Sequence, residues 1–437
     1  MSLLSSQVRT VVLLFCGYAA CYYCRADLSV ATPLIADELA RRGVSHAEAL
    51  IHIGTISSLG VFAYALGKLF LTGLGDYWGG RRNFLIGVGG AAVFTLLFAG
   101  GGALPVFTLA WTANRLTQSV GWAGLIKVSS KWFNYSSYGS IAGILSISYL
   151  VGDALARQQM GMLLAHGYGW RVLFAFAGVV AALALLANVL WLRESRVREG
   201  HAEAEPNPAL NLFTSGETRP ASVAALLVPL MRSRAFLLVC LLSFGCTIIR
   251  ETFNTWSPVY LRDFLGYSVS DSAGLSAIFP AVGAVSVLLA GWLSDRLGPT
   301  ARSLLMFSGL AGAALALLAL TGVPPGQSGS LLPVILIALV FFGLLGPYSY
   351  LGGAFALDFG GKQASAASSG IIDGIGYLGG VLAGDSVARL AVNFGWRGVF
   401  VALAVVSAAA AASAGYLHVL NLRTAALKTA ATAGAHG

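Results

Sequence analysis

RADLSVATP at residues 25–33 and RETFNTWSP at residues 250–258 decide how this chain is read. Each opens on an arginine inside a long apolar stretch, and each reaches a proline eight residues later. A cation at the centre of a bilayer costs about 2.5–3.5 kcal/mol on insertion scales. A sequence that bears this cost twice, at matching places in its two halves, either holds an anion there or pairs each charge with an acid. Asp27 and Glu251 are the acids at hand.

The surrounding composition is that of a membrane protein. Hydrophobic residues make up 57% and charged residues 10%, with a mean hydropathy of +0.77. A soluble domain carries about 25% charged residues. Apolar runs of bilayer length predict about twelve helical spans: 8–35, 51–75, 84–104, 105–127, 138–165, 170–192, 236–261, 271–294, 303–323, 331–357, 366–391 and 397–420. The runs are continuous rather than alternating, which disfavours a barrel and gives an all-α integral membrane protein.

The formal charge of +9 follows loop topology and does not point to nucleic acid. With both termini cytoplasmic, 16 Lys and Arg fall on the inside, 5 on the outside and 6 within spans. That bias predicts this orientation, with lipid as the surrounding partner. The first span is too long for a signal-peptide core, so no cleavable signal is expected. The five cysteines lie in spans one and seven without metal or disulfide-framework spacing, and read as packing residues. No metal or cofactor is expected.

Hydropathy collapses in RESRVREGHAEAEPNPALNLFTSGETRP, residues 193–220. It divides the chain into an N-terminal half (1–192), a cytoplasmic linker (193–234), a C-terminal half (235–422) and a cytoplasmic tail (423–437). The halves echo each other. GDYWG at 75–79 matches SDRLG at 294–298, YLVG at 149–152 matches YLGG at 377–380, and GWRVLF at 169–174 matches GWRGVF at 395–400. Arg25 and Arg250 lie 225 residues apart, within the 219–228 range of those offsets. Two pseudo-twofold-related six-helix halves with a site at their interface are the expected architecture.

These segments carry a family resemblance. YYCRADLSVATP, AYALGKLFLTGLGD, QSVGWAGLIKVSSKWF, RETFNTWSPVYL, GPYSYLGGAFALDF and GIGYLGG together resemble the major facilitator superfamily. Within it they resemble the organophosphate:phosphate antiporter family. The resemblance implies substrate-binding roles for an arginine in span one, a lysine before the span-two loop and an arginine six residues before Trp-Ser in span seven. Here these are Arg25, Lys68 and Arg250. GDSVARL at 384–390 resembles the hexose-phosphate branch and implies substrate contacts from Asp385 and Arg389. Ala26, Tyr149 and Thr255 depart from the cation, histidine and aspartate of the glycerol-phosphate branch.

Physical chemistry supports the arginine pair independently. The planar guanidinium gives a phosphate two parallel N–H···O bonds and is weakly hydrated. Lys68 lies eight residues before Asp76, about 12 Å along a helix, deep for a side chain that only reaches for the surface. Asp153 and Arg157 share one helix face at i,i+4, as do Asp385 and Arg389. The first pair reads as a self-neutralised structural couple, the second as one that substrate competes for. Arg115 reads as a structural residue bonding backbone carbonyls, with proton coupling as the alternative. Asp27, Glu251 and Asp373 join it as coupling candidates. Tyr22, Trp122, Tyr149, Tyr348 and Tyr377 are candidate cavity walls. Asp76, Arg81, Asp295 and Arg302 read as a cytoplasmic gate.

The expected function is secondary active exchange of an organic phosphate (sugar phosphate, glycerol phosphate or similar) for inorganic phosphate, by a monomer working through alternating access. Two alternatives stand: a proton-coupled symporter of an organic anion or phosphonate, and a sugar-phosphate receptor without turnover. No nucleophile–base pair, metal cluster or nucleotide loop lies in or beside the spans, so an enzyme is not expected.

Overall fold

A long apolar helix satisfies its own backbone hydrogen bonds, and in hydrocarbon this leaves helices as the way to cross. The computed structural model describes residues 3–71, 79–204, 228, 230–297 and 301–434, apart from the side chains of 130, 135–140, 142–143, 295, 353–354, 356–358, 360–367, 369 and 423–434. Among these residues the helices of the first half are α1 (Leu3–Arg41), α2 (His46–Phe70), α3 (Gly80–Gly100), α4 (Leu104–Gln118), α5 (Gly121–Trp132), α6 (Tyr135–Ala165) and α7 (Trp170–Trp191). The second half holds α8 (Arg234–Val259), α9 (Val269–Ser276), α10 (Ile278–Leu297), α11 (Ala301–Leu320), α12 (Leu332–Tyr350), α13 (Ala356–Leu382) and α14 (Asp385–Gly434).

Nine helical stretches among the described residues are long and apolar enough to cross a membrane. One of them, Gly370–Leu422, covers the last two predicted spans and bends at Gly395, whose φ of 67° suits glycine. The predicted fourth span is interrupted at Ser119–Val120 and divides into α4 and α5. The predicted fifth span is α6, made more polar by Asp153, Arg157, Gln158 and Gln159. The result is twelve spans in two six-helix halves.

Both arginine segments contain a proline and depart from a regular α-helix. Proline lacks an N–H and leaves the carbonyl four residues earlier without its helical donor. In α1 the backbone leaves helical geometry at Cys24 (φ −79°, ψ 19°), just before Arg25, and Pro33 lies inside the helix. In α8 Pro258 frees the carbonyl of Asn254, and a π-turn at Tyr260–Phe264 follows. Pro347 in α12 is likewise followed by a π-turn, Leu351–Phe355.

Among the described residues the halves meet chiefly at three seams: α1 with α8, α2 with α13 and α14, and α6 with α9 and α10. The pseudo-twofold relation exchanges the second and third seams, so the interface repeats itself. The backbones meet closely. A Cβ on Gly384 would lie 2.4 Å from the Gly54 carbonyl oxygen, and one on Gly161 would lie 2.9 Å from that of Ser270. Small residues allow such approach between membrane helices.

Candidate functional site

The space between the halves narrows to a central cavity. Its lining includes four arginines, Arg25, Arg115, Arg157 and Arg250, and two carboxylates, Asp153 and Glu251. The formal excess is therefore two positive charges. About 60 Å³ is accessible to the centre of a water molecule, room for several waters. Tyr22, Tyr149 and Trp111 supply aromatic wall, and Ser29, Ser57, Asn254 and Thr255 supply hydrogen-bonding groups.

The two repeat-related arginines sit on either side of an aromatic junction. Tyr64 of α2 and Tyr377 of α13 meet edge to face across the halves, with ring centroids 4.8 Å apart. The Arg25 guanidinium lies 4.3 Å from the Tyr22 ring centre and 4.5 Å from that of Tyr64. Arg250 lies 4.6 Å from the Tyr348 ring centre and 5.3 Å from that of Tyr377, and donates to the Tyr377 hydroxyl at 3.0 Å. Arg115 stands over Tyr64 at 5.1 Å, and the Lys68 ammonium is 5.7 Å from Tyr64 and 5.8 Å from Tyr377. Four cations thus share the negative faces of two tyrosines, an arrangement that holds them without neutralising them.

Their acidic partners differ. Arg250 donates to the Glu251 carboxylate at 2.7 Å, and Arg115 lies 3.9 Å from the other oxygen of Glu251. Lys68 pairs with Asp373 across the halves at 3.3 Å. Arg25 donates through Nε to the neutral amide of Gln118 at 2.6 Å. Its buried Nη2 has no hydrogen-bond acceptor among the described residues, nor has Nε of Arg115.

Sequence-expected residues therefore fall into groups. Arg25, Arg250, Tyr22, Tyr149, Arg115 and Glu251 line the cavity. Lys68, Tyr348, Tyr377 and Asp373 stand behind it, against the arginines or the tyrosine junction. Trp122 instead packs on Tyr18, 5.2 Å between ring centres, in the core of the first half. Asp27 is fully buried and accepts from the Leu28 N–H. Asp385 and Arg389 pair at 2.7 Å outside the lining, with Asp385 also accepting from Thr55 of the other half at 2.8 Å. That couple stitches the seam between the halves.

Two expectations about partners change. Arg115 contacts Glu251 and the Tyr64 ring rather than backbone carbonyls. Asp153 and Arg157, expected to face other helices, line the cavity. Tyr64 and Gln118 are contributors that sequence reading passed over. The signal for Tyr64 was its place one helical turn before Lys68 in AYALGK.

The gate residues are only partly within view. Asp76 lies outside the described residues, as does the side chain of Asp295. Arg81 donates to the carbonyls of Leu192 and Val189, each at 2.7 Å. Arg302 donates to Ser294 at 2.9 Å. Glu194 accepts from the Gly80 and Arg81 N–H groups at the start of α3 and from Lys131. Burial pushes the Glu194 carboxyl up, but these donors outweigh it and hold it below its usual range. All of these bonds stay within one half.

Such a cavity between six-helix halves is a transporter's arrangement, and the family model described as Major Facilitator Superfamily matches residues 14–384. The chain belongs to that superfamily. This facilitator is similar to a probable hexose phosphate transport protein of Chlamydia trachomatis, 25% identical over 91% of this chain and 88% of the other. It is similar to the glycerol-3-phosphate transporter of Bacillus subtilis, 23% identical over 91% of this chain and 89% of the other. Its fold matches that of a bacterial homologue of the human lysosomal transporter Spinster in an inward-facing, unoccupied conformation. There the TM-score is 0.74 and the identity 17%, covering 96% of this chain and 98% of the other.

Proposed function

We propose that this facilitator exchanges an organic phosphate for inorganic phosphate by alternating access, with Arg25 and Arg250 binding the phosphoryl group. One observation carries the reading: the cavity lining holds four arginines against two carboxylates. A phosphate monoester carries a charge of about −1.5 to −2 at neutral pH, so it matches the excess of two. Arg25, with an unpaired buried nitrogen, offers donors at once. Arg250 offers its fork when the ligand displaces Glu251. The names of the two bacterial relatives, for hexose phosphate and glycerol-3-phosphate, agree with this chemistry.

Charge also accounts for exchange. Uncompensated like charges in a medium of low effective dielectric repel strongly. Closing the site is therefore easier with an anion inside, and inorganic phosphate serves as well as its ester. The halves at 1–192 and 235–422 would rock about this site, with the linker 193–234 and both termini on the cytoplasmic side of a bacterial inner membrane. The charge bias of the loops supports that orientation.

The test is counterflow. Purified protein in liposomes loaded with phosphate should take up labelled phosphate, glycerol phosphate or hexose phosphate, and liposomes without internal phosphate should take up almost none. Uptake driven by a pH step alone, with no internal anion, would replace this reading with proton symport. Binding without any flux would replace it with a receptor.

A further inference from the structure

Tyr149, Asp153 and Arg157 stand at i, i+4 and i+8 on α6, and all three line the cavity. The lower two form a fixed unit. Arg157 donates through Nε to Asp153 Oδ1 at 3.1 Å. Its Nη2 donates at 2.9 Å to the Asn254 carbonyl, the one that Pro258 leaves without a helical donor. Its Nη1 reaches Ser276 at 3.2 Å and Ser29 at 3.4 Å. Arg157 is 2% exposed. A guanidinium held on so many sides cannot swing out to meet a ligand. Asp153 is held by it from one side and borders the cavity on another.

From this geometry we infer that Asp153 is a specificity-determining residue that accepts a hydrogen bond from a hydroxyl on the organic part of the substrate. The inference rests on the organic-phosphate reading and adds what the other end of the ligand must be. A carboxylate accepts and never donates, so the group facing it is a donor, and on a sugar or glycerol phosphate that donor is an O–H. Its negative charge opposes a second anionic group there, so a carboxylate or second phosphate at that end is disfavoured. It also orients the ligand, with phosphate toward Arg25 and Arg250 and hydroxyl toward Asp153. Ser29, Asn254 and Thr255 beside it can share the hydroxyls of a polyol. The predicted class is a hydroxylated phosphate monoester with one anionic end. Arg157 acts as a positioning residue, fixing the carboxylate that makes the contact.

The experiment compares two probes in the counterflow assay, glycerol 3-phosphate and propyl phosphate, which share a three-carbon chain and a phosphate but differ in hydroxyls. Wild type should favour glycerol 3-phosphate by roughly 10- to 100-fold in kcat/KM, the worth of a hydrogen bond to a charged group. Asp153→Asn keeps the shape and an acceptor oxygen but removes the charge. It should cut that preference to within a few-fold, chiefly through KM for glycerol 3-phosphate; because the substitution also changes the cavity charge for every anion, the ratio between the two probes is the reading. The same variant should admit 3-phosphoglycerate better than wild type does. Equal loss for both probes in Asp153→Asn, or a wild type that does not distinguish them, overturns the inference. Failure of wild type to exchange any phosphate overturns the organic-phosphate reading instead. If Asp153→Asn is too unstable to purify, Arg157→Lys should narrow the preference by loosening the carboxylate, and an unchanged preference there overturns the inference as well.

Discussion

Arg25 and Arg250 are equivalent by sequence and unequal in their surroundings. In the first half, Arg25 is held by Gln118, whose amide donates to Asn114 at 2.5 Å, and Asn114 in turn donates to Thr95 at 2.9 Å. This is a chain of neutral groups that fixes the guanidinium while leaving its charge intact. In the second half, Arg250 is bonded to the carboxylate of its own neighbour, Glu251. The repeat therefore supplies one arginine that is ready for an anion and one that must first give up an internal anion. Removing one partner of a buried charge pair leaves the other uncompensated, which costs about 3–5 kcal/mol. Arg250 carries that risk, and Arg25 does not.

The largest effect should come from blunting the forks. Arg25→Lys and Arg250→Lys each lose paired N–H···O bonds worth about 1.5–3 kcal/mol apiece. Phosphate exchange in liposomes should fall by about 100-fold or more in each. Truncation should then separate them. Among the described residues, Arg250→Ala leaves Glu251 with the 3.9 Å contact to Arg115 as its one cationic partner within 4 Å, and should lower the thermal unfolding midpoint in detergent. Arg25→Ala should lower it much less. Equal destabilisation by the two would erase the distinction between ready and restrained arginines.

A smaller effect is expected from making the two sites alike. Glu251→Gln removes the internal competitor and gives Arg250 a neutral amide partner, as Arg25 already has. Phosphate should bind roughly tenfold more tightly, about 1.4 kcal/mol, as read from the ligand-induced shift in unfolding temperature. Weaker phosphate binding in this variant would show that Glu251 supports the ligand rather than competing with it.

The arginine pair, the repeat and the twelve-span fold were legible because burying charge in hydrocarbon is so costly that a sequence does it only with cause. Depth alone left Lys68 balanced between a site role and reaching for the surface; the family resemblance pointed to the site, and the structure sets its ammonium beside the Tyr64 and Tyr377 rings. The partners were harder. Nothing in the order of residues shows that Arg250 turns to Glu251 while Arg25 turns away from Asp27. That choice depends on helix rotation, which places Asp27 against buried backbone. The i,i+4 rule found both Asp–Arg couples and could not say which faced the cavity. Asp153–Arg157 faces it because α6 crosses α9 and α10 there, whereas Asp385–Arg389 follows the glycine contact of Gly384 with Gly54 at the seam.

The two ends of the bundle offer a second contrast with smaller consequences. Away from the termini, polar bonds cross between the halves: Arg262 to Asp37 at 2.5 Å and to the Pro33 carbonyl at 3.0 Å, and His46 to Asp263 at 3.2 Å. These bonds tie the halves together at that end. Asp37→Asn should weaken a closure held there by about 1 kcal/mol or less, since the pair is partly exposed. A few-fold rise in labelling of a single cysteine placed on that face is the expected reading, and none would mean the bonds follow closure rather than hold it.

At the end that carries the termini, the Glu194 bonds tie α3 and α5 to the close of α7 within one half. They should stiffen that half as a rocking unit without choosing a conformation. Because the Glu194 carboxyl is held below its usual value of 4.5, its contribution is complete above that pH and is lost as pH falls through the lowered value. Between pH 8 and pH 5.5 the wild-type unfolding midpoint should not move on its account. Glu194→Gln should unfold earlier than wild type at pH 7, and the gap should shrink as pH falls below 4.5 and through the lowered value. Its exchange rate at pH 7 should stay within about twofold of wild type, because the cavity charges are untouched. A large change in exchange with an unchanged unfolding midpoint would move Glu194 from the scaffold into the gate.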